Sequence, residues 1–148
     1  MQTGYQVREM TLDDVNQVYE IEQQLFSMPW SKEDFTSSMN HPQNLYLVVD
    51  DGGKIAGYCG FWSVLDEGQI TNVAVQQEYQ NQGIGKLLIT ELLRKGREKA
   101  LTDFTLEVRE SNKYAIQLYK SCGFEEAGIR PNFYEKPTEN AVIMWCYF

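Results

Sequence analysis

Between Val73 and Leu88 the chain reads Val-Ala-Val-Gln-Gln-Glu-Tyr-Gln-Asn-Gln-Gly-Ile-Gly-Lys-Leu-Leu. A β-rich run stops, a polar loop with two glycines follows, and an apolar helical stripe begins. Glycines at such a junction let backbone N–H groups come close to a ligand. The first helical turn adds unpaired N–H groups and the positive end of the helix dipole. Together these features suit phosphate or pyrophosphate. Two familiar phosphate loops fail on spacing. A P-loop needs Ser or Thr after its lysine and a glycine five positions before its last glycine; here Leu87 follows Lys86, and Gln80 stands five before Gly85. A dinucleotide fingerprint needs a small third residue, and Leu88 occupies that place. The plain alternative is a loop that only caps a helix.

The surrounding chain has a strand at Tyr5 to Glu9, then a helix capped at Thr11 and running on to Phe26. Met28-Pro29-Trp30 stops that helix, and Ser31 opens a short second one with Glu33 and Asp34 in its first turn. Leu45 to Val49, Lys54 to Leu65 and Gln69 to Val75 form an antiparallel meander, with Asp51-Gly52-Gly53 and Asp66-Glu67-Gly68 as turns. Gly83 to Lys99 is a long helix, Phe104 to Val108 a strand, and Ser111 to Cys122 a helix closed by Gly123. Phe124 to Ala127 and Ala141 to Tyr147 are the last strands. The order β-α-α-β-β-β-α-β-α-β-β predicts an α+β fold with α/β layering, a mixed sheet of about seven strands in one domain spanning 1–148.

Composition narrows the chemistry. With 13 basic and 21 acidic residues the net charge is −8. Such a surface argues against nucleic acid and anionic membrane as partners and favours cationic ones. His41 is the one histidine, and it sits in a turn-like Asn-His-Pro stretch, where a solvated loop residue is the plain reading. A histidine-activated nucleophile and a zinc cluster are therefore not expected. Cys59, Cys122 and Cys146 are odd in number and widely spaced, which reads as reduced thiols in the cytoplasm. Met1 to Tyr5 lacks the basic and apolar character of a signal peptide.

Val75 with Gln80-Asn81-Gln82-Gly83-Ile84-Gly85 resembles the acetyl-coenzyme A motif of the GNAT acetyltransferase superfamily, Gln or Arg-x-x-Gly-x-Gly or Ala. Leu106-Glu107-Val108-Arg109 and Ala115 to Phe124 resemble that family's later strand and helix. Met28-Pro29-Trp30-Ser31, Asn112, Arg130 to Tyr134 and Glu139-Asn140-Ala141 are similar to segments of its ribosomal-protein-alanine N-acetyltransferase group. The resemblance implies acetyl-CoA as cosubstrate and no metal. It also implies direct attack of a protein α-amine on the thioester, the acceptor being the N-terminal alanine of a small-subunit ribosomal protein.

The resemblance also implies residue roles. Glu107 is the base, where the plain readings are a solvent-facing carboxylate or a partner of Arg109. Tyr119 is the acid and also borders the cofactor, where the plain reading is an aromatic core residue. Val73, Ala74 and Val75 offer strand backbone to the pantetheine arm. Gln80, Asn81, Gln82, Gly83, Ile84, Gly85 and Lys86 cradle its phosphates. Lys86 has the plain reading of an exposed helix lysine. Asn112 bonds the cofactor or caps its helix. From their own character, Trp30, Phe133 and Tyr134 are aromatic, lie near turns and suit the wall of an acceptor groove, where the plain readings are core or surface side chains, and the excess of carboxylates, among them Asp66, Glu67, Glu135 and Glu139, suits a cationic acceptor end. Phe133 and Asn140 depart from the group, which usually has tyrosine and aspartate there. Acetylation of a polyamine or aminoglycoside, or a non-catalytic acetyl-CoA sensor, are the competing readings.

Overall fold

A computed structural model of the chain describes residues 5–147; Met1 to Gly4, on which the absence of a signal peptide was read, lie outside them. One seven-stranded sheet runs β1-β2-β3-β4-β5-β7-β6. Its strands are β1 (Tyr5–Glu9), β2 (Leu45–Asp51), β3 (Lys54–Val64), β4 (Glu67–Val75), β5 (Asp103–Arg109), β6 (Glu125–Tyr134) and β7 (Glu139–Tyr147). The helices are α1 (Val15–Leu25), α2 (Lys32–Met39), α3 (Ile84–Glu98) and α4 (Lys113–Ser121). Only β4 and β5 are parallel; every other pairing is antiparallel.

Alternation along the strands builds a core on each face. In β2, Leu45, Leu47 and Val49 join Leu88, Ile89, Leu92 and Leu93 of α3. Tyr46 and Val48 point the other way, to Val15, Val18 and Ile21 of α1 and Phe35 of α2. This double burial explains why Leu45 to Val49 is apolar without interruption. The helix starts follow capping chemistry. Asp14 accepts from the Thr11 N–H at 2.8 Å, and a turn of 3-10 helix at Leu12–Asp14 precedes α1. Ser31 and Asp34 cap each other's N–H groups at 2.9 and 3.0 Å.

Two features set the active end of the sheet. The parallel pairing of β4 with β5 covers only Glu67–Asp103, Gly68–Phe104 and Gln69–Thr105. Just beyond, Asn72 opposes Gly60 and Ile70 opposes Phe61, so Thr71 is an extra residue in β4. A bulge of this kind bends and twists its strand. The second halves of β4 and β5 consequently part.

The last hairpin departs from the sequence reading. β6 runs to Tyr134, well past the expected end at Ala127. Gly128 and Pro131 hid the strand, and both are tolerable because β6 is the sheet edge and breaks register at Glu126/Gly128 and Arg130/Tyr134.

Two stability outcomes follow from packing and charge. Gly96 of α3 has no room for a side chain, since an added Cβ would enter the Phe104 ring. Ala gains about 1 kcal/mol of helix propensity there, but overpacking costs about 1 to 3 kcal/mol. Gly96→Ala is expected to lower unfolding free energy by chemical denaturation. Arg8 clasps the buried Asp14 at 2.8 and 2.9 Å and also pairs with Asp50. The Arg8 guanidinium, against the opposing effect of burial, holds the Asp14 carboxyl below its usual range. That stability is complete above about pH 4 and is lost as pH falls through the depressed value. Arg8→Gln should cost about 2 to 3 kcal/mol at pH 7, with the gap to wild type closing in strong acid.

Candidate active site

The parted strands open a cleft with two halves. One is a cavity of about 370 Å³ bordered by Val73, Val75, Gln80, Asn81, Gly85 and Leu118. The other, about 460 Å³, is bordered by Glu22, Trp30, Glu107, Arg109, Phe133 and Tyr134. Leu25, Phe26, Val73, Asn112 and Tyr119 line both, so the halves meet there.

In the first half the two glycines do different work. Gly83 adopts φ +81° with open space where a Cβ would stand, so it is needed for its left-handed backbone. Asn81 shares that conformation at φ 65°. Gly85 serves packing: an added Cβ would lie 2.9 Å from Leu118, so this glycine lets α3 approach α4.

The loop's polar residues are also divided. Gln80 donates from Nε2 to the Val75 carbonyl at 3.1 Å, bracing the loop on β4. Gln82 accepts from the Tyr5 hydroxyl of β1, away from the cavity. Ile84 and Ala74 are buried, Ala74 in the core beneath α1. Lys86 is exposed on α3. Asn112 caps α4, accepting from the Ala115 N–H at 3.1 Å, and it also borders both halves.

The junction belongs to Tyr119. Its ring packs edge-on against Phe124 at 6.0 Å within the core. Burial pushes its phenol above the ordinary value, helped by Tyr134, Cys59 and Cys122. The aromatic-core reading is therefore correct, and the same side chain borders both cavities.

In the second half Glu107 and Arg109 project from one face of β5, two residues apart. Glu107 does not pair with Arg109. Its buried Oε2 lies 2.6 Å from Arg130 Nε of β6. The N–H is not aimed at that oxygen, so the contact is an ion pair without a directed hydrogen bond. Arg109 instead clasps the rim. It donates to the Pro137 and Glu135 carbonyls and to Ser27 Oγ at 2.9 to 3.2 Å, pairs with Glu139, and lies 4.5 Å from the Tyr134 ring. The loop after α1 and the β6–β7 hairpin are thereby joined across the cleft. Tyr134 has its phenol pushed up to about 12 by burial and by the Glu107 charge. Phe133 stands against it at 5.0 Å. Trp30 packs on Phe35, Tyr46 and Trp62.

Of the carboxylates expected to draw a cation, Glu135 and Glu139 stand at the rim through Arg109, and Asp66 and Glu67 lie away from it. Glu67 begins β4 at its paired end, with Asp66 in the turn before it, and Glu139 is neutralised by Arg109. Glu22 was not singled out from sequence. A glutamate four residues after Val18, on the apolar stripe of α1, was the available signal.

The donor set fits acetyl-CoA. The edge of β4 from Ile70 onward is free of β5 pairing and can take a pantetheine arm as a further strand would be taken. The first turn of the 15-residue α3 carries no acidic side chain to repel phosphate. Among the described residues no cluster of metal ligands occurs, and no helix is long and apolar enough to cross a membrane.

Comparison with known proteins agrees with this geometry. Residues 15–124 match the model of the Acetyltransferase (GNAT) family. A ribosomal protein bS18-alanine N-acetyltransferase of Haemophilus influenzae is 42% identical over 139 residues, covering 90% of this chain and 92% of that protein. The crystal structure of the Escherichia coli enzyme of the same description superposes with a TM-score of 0.89 at 35% identity, covering 97% and 93% of the two chains. The Ard1 structure of Thermoplasma volcanium gives 0.90 at 26% identity and 98% of both chains. With the cofactor loop, the parted strands and these similarities together, the chain belongs to the GNAT family and is an acetyl-CoA-dependent N-acetyltransferase.

Proposed function

We propose that the 148 residues form one catalytic domain that acetylates the N-terminal α-amine of a protein in the cytoplasm. The acceptor is the N-terminal alanine of a small-subunit ribosomal protein, which its relatives' names support. The observation that carries the reading is the shared wall at Tyr119, between the cavity beside the glycine loop and a second one bordered by Glu107. Leu25, Phe26 and Met28 are exposed apolar side chains beside that second cavity, where a bound chain would cover them.

Acetyl-CoA supplies a thioester whose carbonyl carbon an amine can attack directly. An α-amine has a pKa near 8, so freeing its lone pair at neutral pH costs about 1 to 2 kcal/mol. Glu107 accepts that proton, directly or through a water, and Arg130 holds its carboxylate in place. As the N–C bond forms and the C–S bond breaks, the Tyr119 hydroxyl gives its proton to the departing sulfur, and its phenolate takes back the second proton that the new amide nitrogen sheds. A raised phenol pKa keeps that proton in place through neutral pH. Trp30, Phe133 and Tyr134 frame the acceptor. Most of the rate comes from holding two substrates together, worth up to about 7 to 11 kcal/mol.

Thiol release from acetyl-CoA tests the acceptor. Turnover is expected on peptides starting Ala-Arg and not on peptides with a blocked α-amine and free lysines. Turnover confined to polyamines or aminoglycosides would replace the protein acceptor with a small amine, and coenzyme binding without turnover on any acceptor would favour a sensor. Glu107→Gln and Tyr119→Phe should each lower kcat by about 10²- to 10⁴-fold, with acetyl-CoA affinity nearly unchanged for Glu107→Gln. Wild-type kcat in either variant would remove that residue from the chemistry.

A further inference from the structure

Four polar or charged residues are buried among the described ones: Asp14, Glu22, Ser38 and Asn72. Asp14 has its arginine. Glu22, 3% exposed, has no cation. A buried carboxylate without a counter-ion is costly, and such groups concentrate at functional sites. Glu22 is held instead by neutral donors from two elements. Its Oε2 accepts from the Trp30 backbone N–H at 3.0 Å, in the loop between α1 and α2. Its Oε1 accepts from the Tyr58 hydroxyl of β3. Asn72 of β4 stands near and favours its ionised form. Asn72 adjoins the Thr71 bulge, and Thr71 Oγ1 donates to its Oδ1 at 2.6 Å.

Trp30, Asn72 and Glu22 all border the second half of the cleft. One side chain therefore ties the loop that walls this half to β3, and it stands beside the bulge that turns β4 away from β5. We infer that Glu22 is a positioning residue of acetyl transfer: through Trp30 and Tyr58 its carboxylate sets the width of the acceptor half of the cleft. The inference rests on the reading of that half as the acceptor site.

The charge state matters because both donors need an acceptor. Burial pushes Glu22 up to about 7, against the pull of Trp30 and Asn72. Protonation places an O–H where an acceptor was needed and loosens the tie. The groups that face it across the cleft are Glu107 and Arg109 of β5, Tyr119 of α4 and Tyr134 of β6, with Tyr58 of β3 in direct contact. Glu107 and Arg109 are engaged by Arg130 and Glu139.

Steady-state kinetics with acetyl-CoA and an Ala-Arg peptide, from about pH 5.5 to 9, separate this role from a merely structural one. Glu22→Gln is expected to raise the peptide KM about five- to tenfold at pH 7.5, with acetyl-CoA affinity by calorimetry within about twofold. The acid limb of kcat/KM should lose one proton of slope below about pH 7, leaving the peptide amine's own limb. Tyr58→Phe keeps the carboxyl but removes a donor to its ionised form, so the same limb should move to higher pH. An unchanged peptide KM and acid limb in Glu22→Gln would overturn the inference, as would equal losses of peptide and acetyl-CoA binding. Should Glu22→Gln not fold, an unmoved limb in Tyr58→Phe overturns it alone. Wild-type turnover on spermidine but not on the peptide would instead defeat the protein-acceptor reading. The Glu22 comparison is then read on spermidine, with the same two outcomes.

Discussion

The site depends on a broken strand pairing. β4 and β5 share three residue pairs and then part where Thr71 bulges out of register with Gly60 and Phe61. A parallel pair joined to its full length would have no cleft. The parting does two things with one distortion. It frees the β4 edge at Val73 and Val75, and it opens the space that Glu107 and Tyr119 border. The bulge has buried polar neighbours on the α1 face. Thr71 Oγ1 donates to Asn72 Oδ1, and Asn72 borders the same cavity as Glu22. Two of the buried polar residues, Glu22 and Asn72, thus stand where the sheet bends.

Much of the fold was legible because it follows local rules. The helix starts at Thr11 and Ser31, the meander turns, and the β4–loop–α3 junction each carry short-range chemistry that a sequence displays. β6 did not, because an edge strand can accept Gly128, Pro131 and two register breaks that would mark a loop elsewhere. The bulge was hidden for a different reason. Nothing in Ile70-Thr71-Asn72 departs from strand composition, and the extra residue exists only relative to Gly60 and Phe61 across the pair.

The residues of the site divide the same way. The glycine loop stands out by its composition and by resemblance, and its parts do different things. Gly83 answers a backbone need and Gly85 a helix-packing need, and Gln82 turns away to Tyr5. Asn112 and Tyr119 each had a plain reading and a functional one, and both turned out compatible: an N-cap and a core aromatic are good ways to fix a side chain at a cavity wall. Arg109, Arg130 and Glu22 were harder. Their meaning lies in partners 20 to 80 residues away, such as Ser27 for Arg109 and Tyr58 for Glu22, and no local pattern announces them.

These long-range charges show where an amine acetyltransferase must invest its structure. Deprotonating an α-amine asks for about 1 to 2 kcal/mol at neutral pH, whereas aligning two substrates is worth up to about 7 to 11 kcal/mol. A protein governed by those magnitudes gains little from a strongly perturbed base and much from rigid walls. The ionic groups follow that weighting. Arg109 fastens the loop after α1 to the β6–β7 hairpin, and Arg130 braces Glu107. Glu22 accepts a costly burial to join the same loop to β3. On this reading one carboxylate suffices to take the proton, and the remaining charges of the cleft are spent on holding its two sides a fixed distance apart.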